Sequence, residues 1–210
     1  MPSDTQRRQF LSLLPQLSLL GGLIPYNPPE DDEIDIAIYV TEASVERWGM
    51  RKAYQLSTQI ERSFNDALID SSITISVEKT VSVPEDRKQY AKDTAIWWKH
   101  SDIASDDTHS NLLLFSDFEV DWNRYAGYGF YEEPFAVANY YSLAGMFDTP
   151  QYISIHEIGH NFDLQHEDAS VTNDETTVMY PTGTGDDRDK ILTFSDTSKK
   201  KIRKEIERNS

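Results

Sequence analysis

The sequence predicts a mixed α+β / α/β domain, a twisted and mostly parallel sheet packed on two long helices. Three observations predict it. Strand and helix patterns alternate through the first half of the chain, the order that gives right-handed crossovers and helices laid on a sheet. A histidine-bearing helix follows in the second half, and a lysine-rich helical segment closes the chain. At 210 residues the chain suits one domain of ordinary size with a real core.

The segments run as follows. Residues 1–32 carry Arg7-Arg8, one spacer and Phe10-Leu11, then a mildly apolar run interrupted by Pro15, Gly21 and Gly22. Paired arginines in that place resemble a twin-arginine export signal, and the run is too short and broken for a membrane span. Export is therefore expected, with a cytoplasmic chain as the alternative. The prolines Pro25, Pro28 and Pro29 mark a linker, so the remaining domain is expected at 33–210. Ile34, Ile36, Ile38 and Val40 alternate as a first strand. Residues 44–69 read as one long helix capped by Ser44, with Leu56, Ile60, Phe64 and Leu68 down one stripe. Ile73, Ile75 and Val77 form a second strand, broken by Pro84. Residues 85–98 read as helix, with Tyr90, Ile96, Trp97 and Trp98, whose aromatics are assigned to the core. Leu112-Leu113-Leu114-Phe115 is apolar throughout, as a buried parallel strand should be. Residues 136–142 read as the last strand, 150–162 as a helix with Pro150 in its first turn, and 195–208 as the terminal helix.

The chemistry gathers at His156-Glu157-Ile158-Gly159-His160 and His166. Residues four apart on a helix differ by about 400°, so His156 and His160 leave one face, one turn apart. Glu157 sits beside the first of them. This is the H-E-x-x-H arrangement, two imidazoles for zinc and a glutamate for the water. On a straight helix His166 would lie about 9 Å beyond His160 and could not share the metal. The helix must end soon after His160 and the chain curl back. Asp163 is the candidate for the φ > 0 residue this needs. Three of the five histidines fall in this stretch. A surface helix with solvated histidines is the bland alternative, but the spacings arise by chance roughly twice in ten thousand such sequences, a small false-positive risk.

These residues resemble the metzincin metallopeptidases, whose pattern is H-E-x-x-H-x-x-G-x-x-H followed by a methionine in a tight turn. His156, Glu157, His160 and His166 match. Val178-Met179-Tyr180-Pro181 is similar to the Met-turn in its matrixin form, and His156–Asn161 is similar to the adamalysin helix. Asp163 departs from the family glycine. Pro181 stands where astacins and serralysins carry a metal-binding tyrosine, so no tyrosine ligand is expected. The resemblance implies a metzincin-like catalytic domain and a zinc endopeptidase. His156, His160 and His166 would hold one Zn²⁺ with a water in the fourth position, Glu157 would be the base, and Met179 would lie below the site. It also implies that the stretch 122–131, with Tyr125, Gly127, Tyr128 and Gly129, forms an antiparallel edge strand to which a peptide adds. Tyr180 and Pro181 would border the same groove. An ordinary aromatic loop is the alternative for 122–131.

Charge and composition narrow the partners. The net charge is −16, so no basic surface is available for nucleic acid. The acidic residues are scattered, as on a salt-adapted protein, with an ordinary acidic secreted enzyme as the alternative. Cysteine is absent, which excludes disulfides and thiolate ligands. The carboxylates of 182–189 could hold Ca²⁺ but lack an EF-hand spacing, and a solvated loop is the simpler reading. The expected partner is a peptide or protein substrate, and the expected state a monomer. Two rival functions stand beside peptidase: a zinc-binding domain without turnover, and a zinc hydrolase whose third ligand is a carboxylate such as Glu175.

Overall fold

The computed structural model describes residues 33–68, 72–87, 90–104, 108–115, 127–139, 150–181 and 188–209. The paired arginines and linker, Tyr125 and most of the acidic loop lie outside the described residues. The described elements form a mixed α/β fold with a mostly parallel sheet and five helices.

The first strand, β1 (Glu33–Thr41), shows why the sheet lies in the middle. Its alternation sends Ile34, Ile36, Ile38 and Val40 into one core and Ala37 and Tyr39 into another. A strand that buries both faces must have covering layers on each side. A short helix α1 (Glu42–Trp48) and a longer α2 (Arg51–Asn65) follow. The single helix expected over 44–69 is thus two. Gly49 stops the first at φ +73°, a backbone that costs glycine nothing, and its N–H bonds the Val45 carbonyl at 2.8 Å. The cap is Thr41 rather than Ser44: the Thr41 hydroxyl oxygen accepts the Ser44 N–H, and Ser44 is buried inside the first turn. The stripe Leu56, Ile60 and Phe64 on α2 is buried as its spacing requires.

Strand β2 (Ser72–Val81) pairs parallel with β1. The helix expected over 85–98 also begins late. A 3-10 turn at Glu85–Arg87 precedes α3 (Ala91–Lys99), because Tyr90 is extended at φ −140° and Thr94 donates its hydroxyl back to the Arg87 carbonyl at 2.8 Å. Trp98 is fully buried, edge-on to Tyr39, with its indole N–H on the Asn111 carbonyl at 3.0 Å. Trp97 is only partly buried and Ile96 is exposed, so the core assignment holds for one tryptophan in full.

Strand β3 (Ser110–Phe115) is buried throughout and again splits its side chains, Leu112 and Leu114 to one core and Leu113 and Phe115 to the other. The hairpin of β4 (Gly127–Gly129) and β5 (Phe135–Asn139) completes the sheet. Its order is β2-β1-β3-β5-β4, parallel except for β4, which runs antiparallel to β5 at the edge. Helix α4 (Pro150–Asn161) lies against β4 and β5 and is buried at every position from Tyr152 onward. A helix buried all round belongs to the core rather than the surface. Two short parallel strands, β6 (Glu175–Thr176) and β7 (Asp189–Lys190), lie in the stretch after His166 that the sequence left irregular. Helix α5 (Asp196–Asn209) closes the chain, with Ile202 and Ile206 in the α2/α4 core. Among the described residues no helix is long and apolar enough to cross a membrane.

Candidate metal centre

His156 and His160 leave α4 on one side, and each ring is fixed at Nδ1. The Val178 carbonyl lies 2.8 Å from His156 Nδ1, and the Leu164 carbonyl lies 2.7 Å from His160 Nδ1. A carbonyl only accepts, so Nδ1 carries the proton in both rings and Nε2 presents a lone pair. His166 brings its own Nε2 to 3.2 Å from that of His156. Ligand atoms of the three residues all lie within 4.8 Å of one another. Burial first, then the neighbouring imidazoles, lower His156 from 6.5 to about 3, and burial lowers His160 to about 4. Neutral rings crowding their lone pairs together is the donor chemistry that suits a divalent cation. Zinc–nitrogen bonds of about 2.0–2.1 Å at tetrahedral angles put donors roughly 3.3 Å apart, close to the 3.2 Å between Nε2 of His156 and of His166. The histidines therefore fit zinc. Among the described residues no other group of histidines and carboxylates converges in this way, and Glu175, on β6, is not part of it.

The turn that delivers His166 is a Schellman motif. The Leu164 N–H bonds the Gly159 carbonyl at 3.2 Å and the Asp163 N–H bonds the His160 carbonyl at 3.0 Å, with Asp163 at φ 56°. Asp163 thus occupies the left-handed position expected of it. The same turn aims the Leu164 carbonyl at His160, so one loop redirects the chain and orients a ligand.

Met179 is fully buried in the turn closed by the Tyr180 N–H and the Thr177 carbonyl at 3.0 Å. A Cβ on Gly159 would stand 2.5 Å from its sulfur, so the methionine lies directly against the histidine helix. The preceding residue, Val178, supplies the carbonyl that holds His156.

Glu157 is 6% exposed and faces β4. Burial pushes its carboxyl up to about 8, partly opposed by a hydrogen bond from the Gly129 N–H. A Cβ on Gly127 would meet the Glu157 side chain at 2.6 Å, and one on Gly129 would meet the Glu157 carbonyl oxygen at 2.2 Å. The glycines of β4 let α4 lie against the strand. Tyr128, between them, turns to the opposite core and meets Phe130 edge-on at 5.2 Å. Tyr180 and Pro181 follow Met179; the Tyr180 hydroxyl accepts from Arg188 Nη2 at 2.9 Å, and the guanidinium lies 5.0 Å from the ring centroid.

Three residues that the sequence did not single out for the site complete it. Asn161, buried at the end of α4, donates its amide to the Phe130 and Phe135 carbonyls, both at 3.0 Å, and accepts the Ser110 hydroxyl at 2.6 Å. It pins the β4–β5 hairpin to the histidine helix. The Tyr152 hydroxyl bonds the Thr177 and Tyr180 carbonyls on either side of Met179 at 3.0 and 2.9 Å. Tyr131, 46% exposed, stands edge-on to His160 at 4.6 Å. The signal for Asn161 was a polar residue on the helix's buried side one step past His160; Tyr131 ended the stretch 122–131 without being named for the site, and Tyr152 gave no signal.

No family sequence model matches the chain, and no curated protein matches it. Solved structures do. Archaemetzincin from Methanopyrus kandleri superposes with a TM-score of 0.59 at 15% identity, over 85% of this chain and 98% of that one. A chain described as a chaperone–substrate complex superposes with a TM-score of 0.62 at 10% identity, over 85% of this chain. This chain spans only 34% of that second one. Identities this low speak for the fold, which is archaemetzincin-like.

Proposed function

We propose that this chain is a zinc-dependent endopeptidase of metzincin type. The observation that carries the reading is the junction of two arrangements: three neutral imidazoles, two from α4 and one from the turn after it, converging through Nε2, and a buried carboxylate on α4 one residue from the first of them. The archaemetzincin-like fold supports it. His156, His160 and His166 would hold the zinc, which when bound supplies a Lewis acid that activates water and polarises the scissile carbonyl.

The protein's own groups do the rest. The Glu157 carboxylate accepts a proton from the attacking water as its oxygen bonds the carbonyl carbon. It then returns that proton to the departing amine nitrogen as the C–N bond breaks, leaving a carboxylic acid and an amine. A base buried as Glu157 is has its pKa moved toward neutrality, where one group can serve as both base and acid. The Gly129 N–H orients the carboxylate and moderates that shift. Among the described residues β4 is the edge of the sheet, and we take it as the strand to which a peptide adds, with Tyr180 and Pro181 bordering the opposite side. We take residues 1–32 as an export signal and 33–210 as the catalytic domain.

The test is zinc content and hydrolysis of an unfolded protein substrate, with and without chelator, in wild type and Glu157→Gln. About one zinc per chain and chelator-sensitive cleavage lost in the variant are expected. Full zinc with no cleavage would leave the non-catalytic zinc domain. Zinc lost in Glu175→Ala but kept in His166→Ala would leave the carboxylate-ligand hydrolase.

A further inference from the structure

His166 is the least firmly held of the three histidines. The other two anchor Nδ1 on a carbonyl, whereas among the described residues His166 has no such partner, and it is the exposed member of the cluster. Its backbone is fixed instead. His166 opens a 3-10 turn, His166–Asp168, and Gln165 just before it is bound to Asp168 at its end. Asp168 Oδ2 accepts the Gln165 N–H at 2.7 Å, and the Gln165 side chain accepts the Asp168 N–H in return.

The Asp168 carboxylate is 5% exposed, and the same oxygen lies 2.8 Å from Lys201 Nζ on α5. A buried carboxylate is costly unless charge and hydrogen bonds meet it, and here both do. The Asp168 carbonyl is engaged as well, accepting the hydroxyls of Ser195 and Ser198 at the start of α5. The C-terminal helix, which begins 35 positions after α4 ends, therefore grips the third histidine through one aspartate.

We propose that Asp168 is a positioning residue for the metal centre: with Lys201 it locks the His166 turn onto α5 and so sets where the third imidazole meets the other two. The inference rests on the reading that the three histidines share one metal. Groups that orient metal ligands from outside typically matter about 10–100-fold in metal affinity.

The test uses the cobalt(II)-loaded full chain, reading affinity by chelator competition and the ligand-field absorption in the visible. Asp168→Ala should bind cobalt about 10–100-fold more weakly, with a spectrum moved toward that of His166→Ala. Asp168→Asn, which keeps an oxygen for the Gln165 N–H, should recover most of the loss. Lys201→Met should lose affinity in the same direction and less. A change in melting temperature alone, with wild-type cobalt affinity and spectrum in Asp168→Ala, overturns the proposal, because a purely structural staple would behave so. Equal losses in Asp168→Asn and Asp168→Ala overturn the hydrogen-bond route. Should Asp168→Ala fail to fold, Lys201→Met decides: unchanged affinity and spectrum there overturn the proposal. If wild type takes up no cobalt, the three-histidine reading falls first and the inference with it.

Discussion

His156 and His160 sit on a rigid helix, buried, with both rings steered by carbonyls; His166 sits on a turn, exposed, with its position set by backbone bonds and a distant helix. The first pair is built by local geometry, since any helix places residues four apart on one face. The third depends on a left-handed aspartate, a capping box and a terminal helix all being in place. A three-histidine centre of this kind is thus part periodic and part tertiary, and the two parts should fail differently.

The largest effect belongs to the group that holds no metal. Glu157→Gln should lower peptide hydrolysis by at least about 10²-fold while zinc stays near one equivalent. Wild-type turnover in the purified variant removes the mechanism. His160→Ala and His166→Ala should each weaken zinc by more than the roughly 10–100-fold typical of supporting residues, and to similar extents. If only His160→Ala does so, His166 is not a ligand and the contrast drawn above loses one side.

The metal-free protein gives a pH signature. Burial raises Glu157 from 4.5 to about 8, so the folded state prefers the proton. That contribution is present in full below about 4.5 and is lost as pH rises through 8. His156 and His160 are lowered from 6.5 to about 3 and 4, so their contribution is present above 6.5 and is lost as pH falls toward those values. Metal-free Glu157→Gln should therefore match wild type near pH 4.5 and exceed it increasingly toward pH 8. The gap should reach on the order of a few kcal/mol by urea unfolding in chelator. A gap that does not widen with pH speaks against a desolvated carboxylate.

Smaller effects concern the packing around the helix. Gly129→Ala should cost about 1–3 kcal/mol, because its Cβ would collide with the Glu157 carbonyl and push β4 off α4. Wild-type stability would mean that the strand stands further away. Asp163→Gly should shift stability by no more than about 1 kcal/mol. It relieves a non-glycine residue at φ 56° but frees the unfolded chain and loses the weak 3.4 Å bond from Gln165. A loss of several kcal/mol would show that the aspartate side chain holds the turn.

What was legible follows the same division. The strands β1 and β3, the stripe of α2 and the spacing of His156, Glu157 and His160 are periodic, and periodicity survives in a bare sequence. Asp163 could be picked out because few residues tolerate φ > 0. The break at Gly49 was hidden because the apolar stripe on α2 leads the eye back through a glycine that helices sometimes tolerate. Gly127 and Gly129 signalled that some backbone approaches closely, but a sequence does not say which. At Gly129 the neighbour is the backbone of α4, and at Gly127 it is the Glu157 and Ile153 side chains of the same helix. The bonds of Asp168 to Lys201 and of Asn161 to the β4–β5 hairpin join residues far apart in the chain, and polar residues of that kind carry no pattern until the fold brings them together.

If the three histidines hold zinc as proposed, the burial of α4 from Tyr152 onward makes the supply of metal a matter of stability for the chain. A core helix that carries two imidazoles, a carboxylate and an asparagine gives away cohesion that an apolar helix would have kept. A cation bound only by the folded form returns it by mass action, about 4 kcal/mol when free metal stands a thousandfold above its dissociation constant. A metal-free chain should then open more often and be cut first by whatever proteases surround it, loaded copies of itself included if the proposed activity holds. Mixed loaded and unloaded samples, followed by gel over time, should show the unloaded fraction disappearing first if loaded copies cleave as proposed.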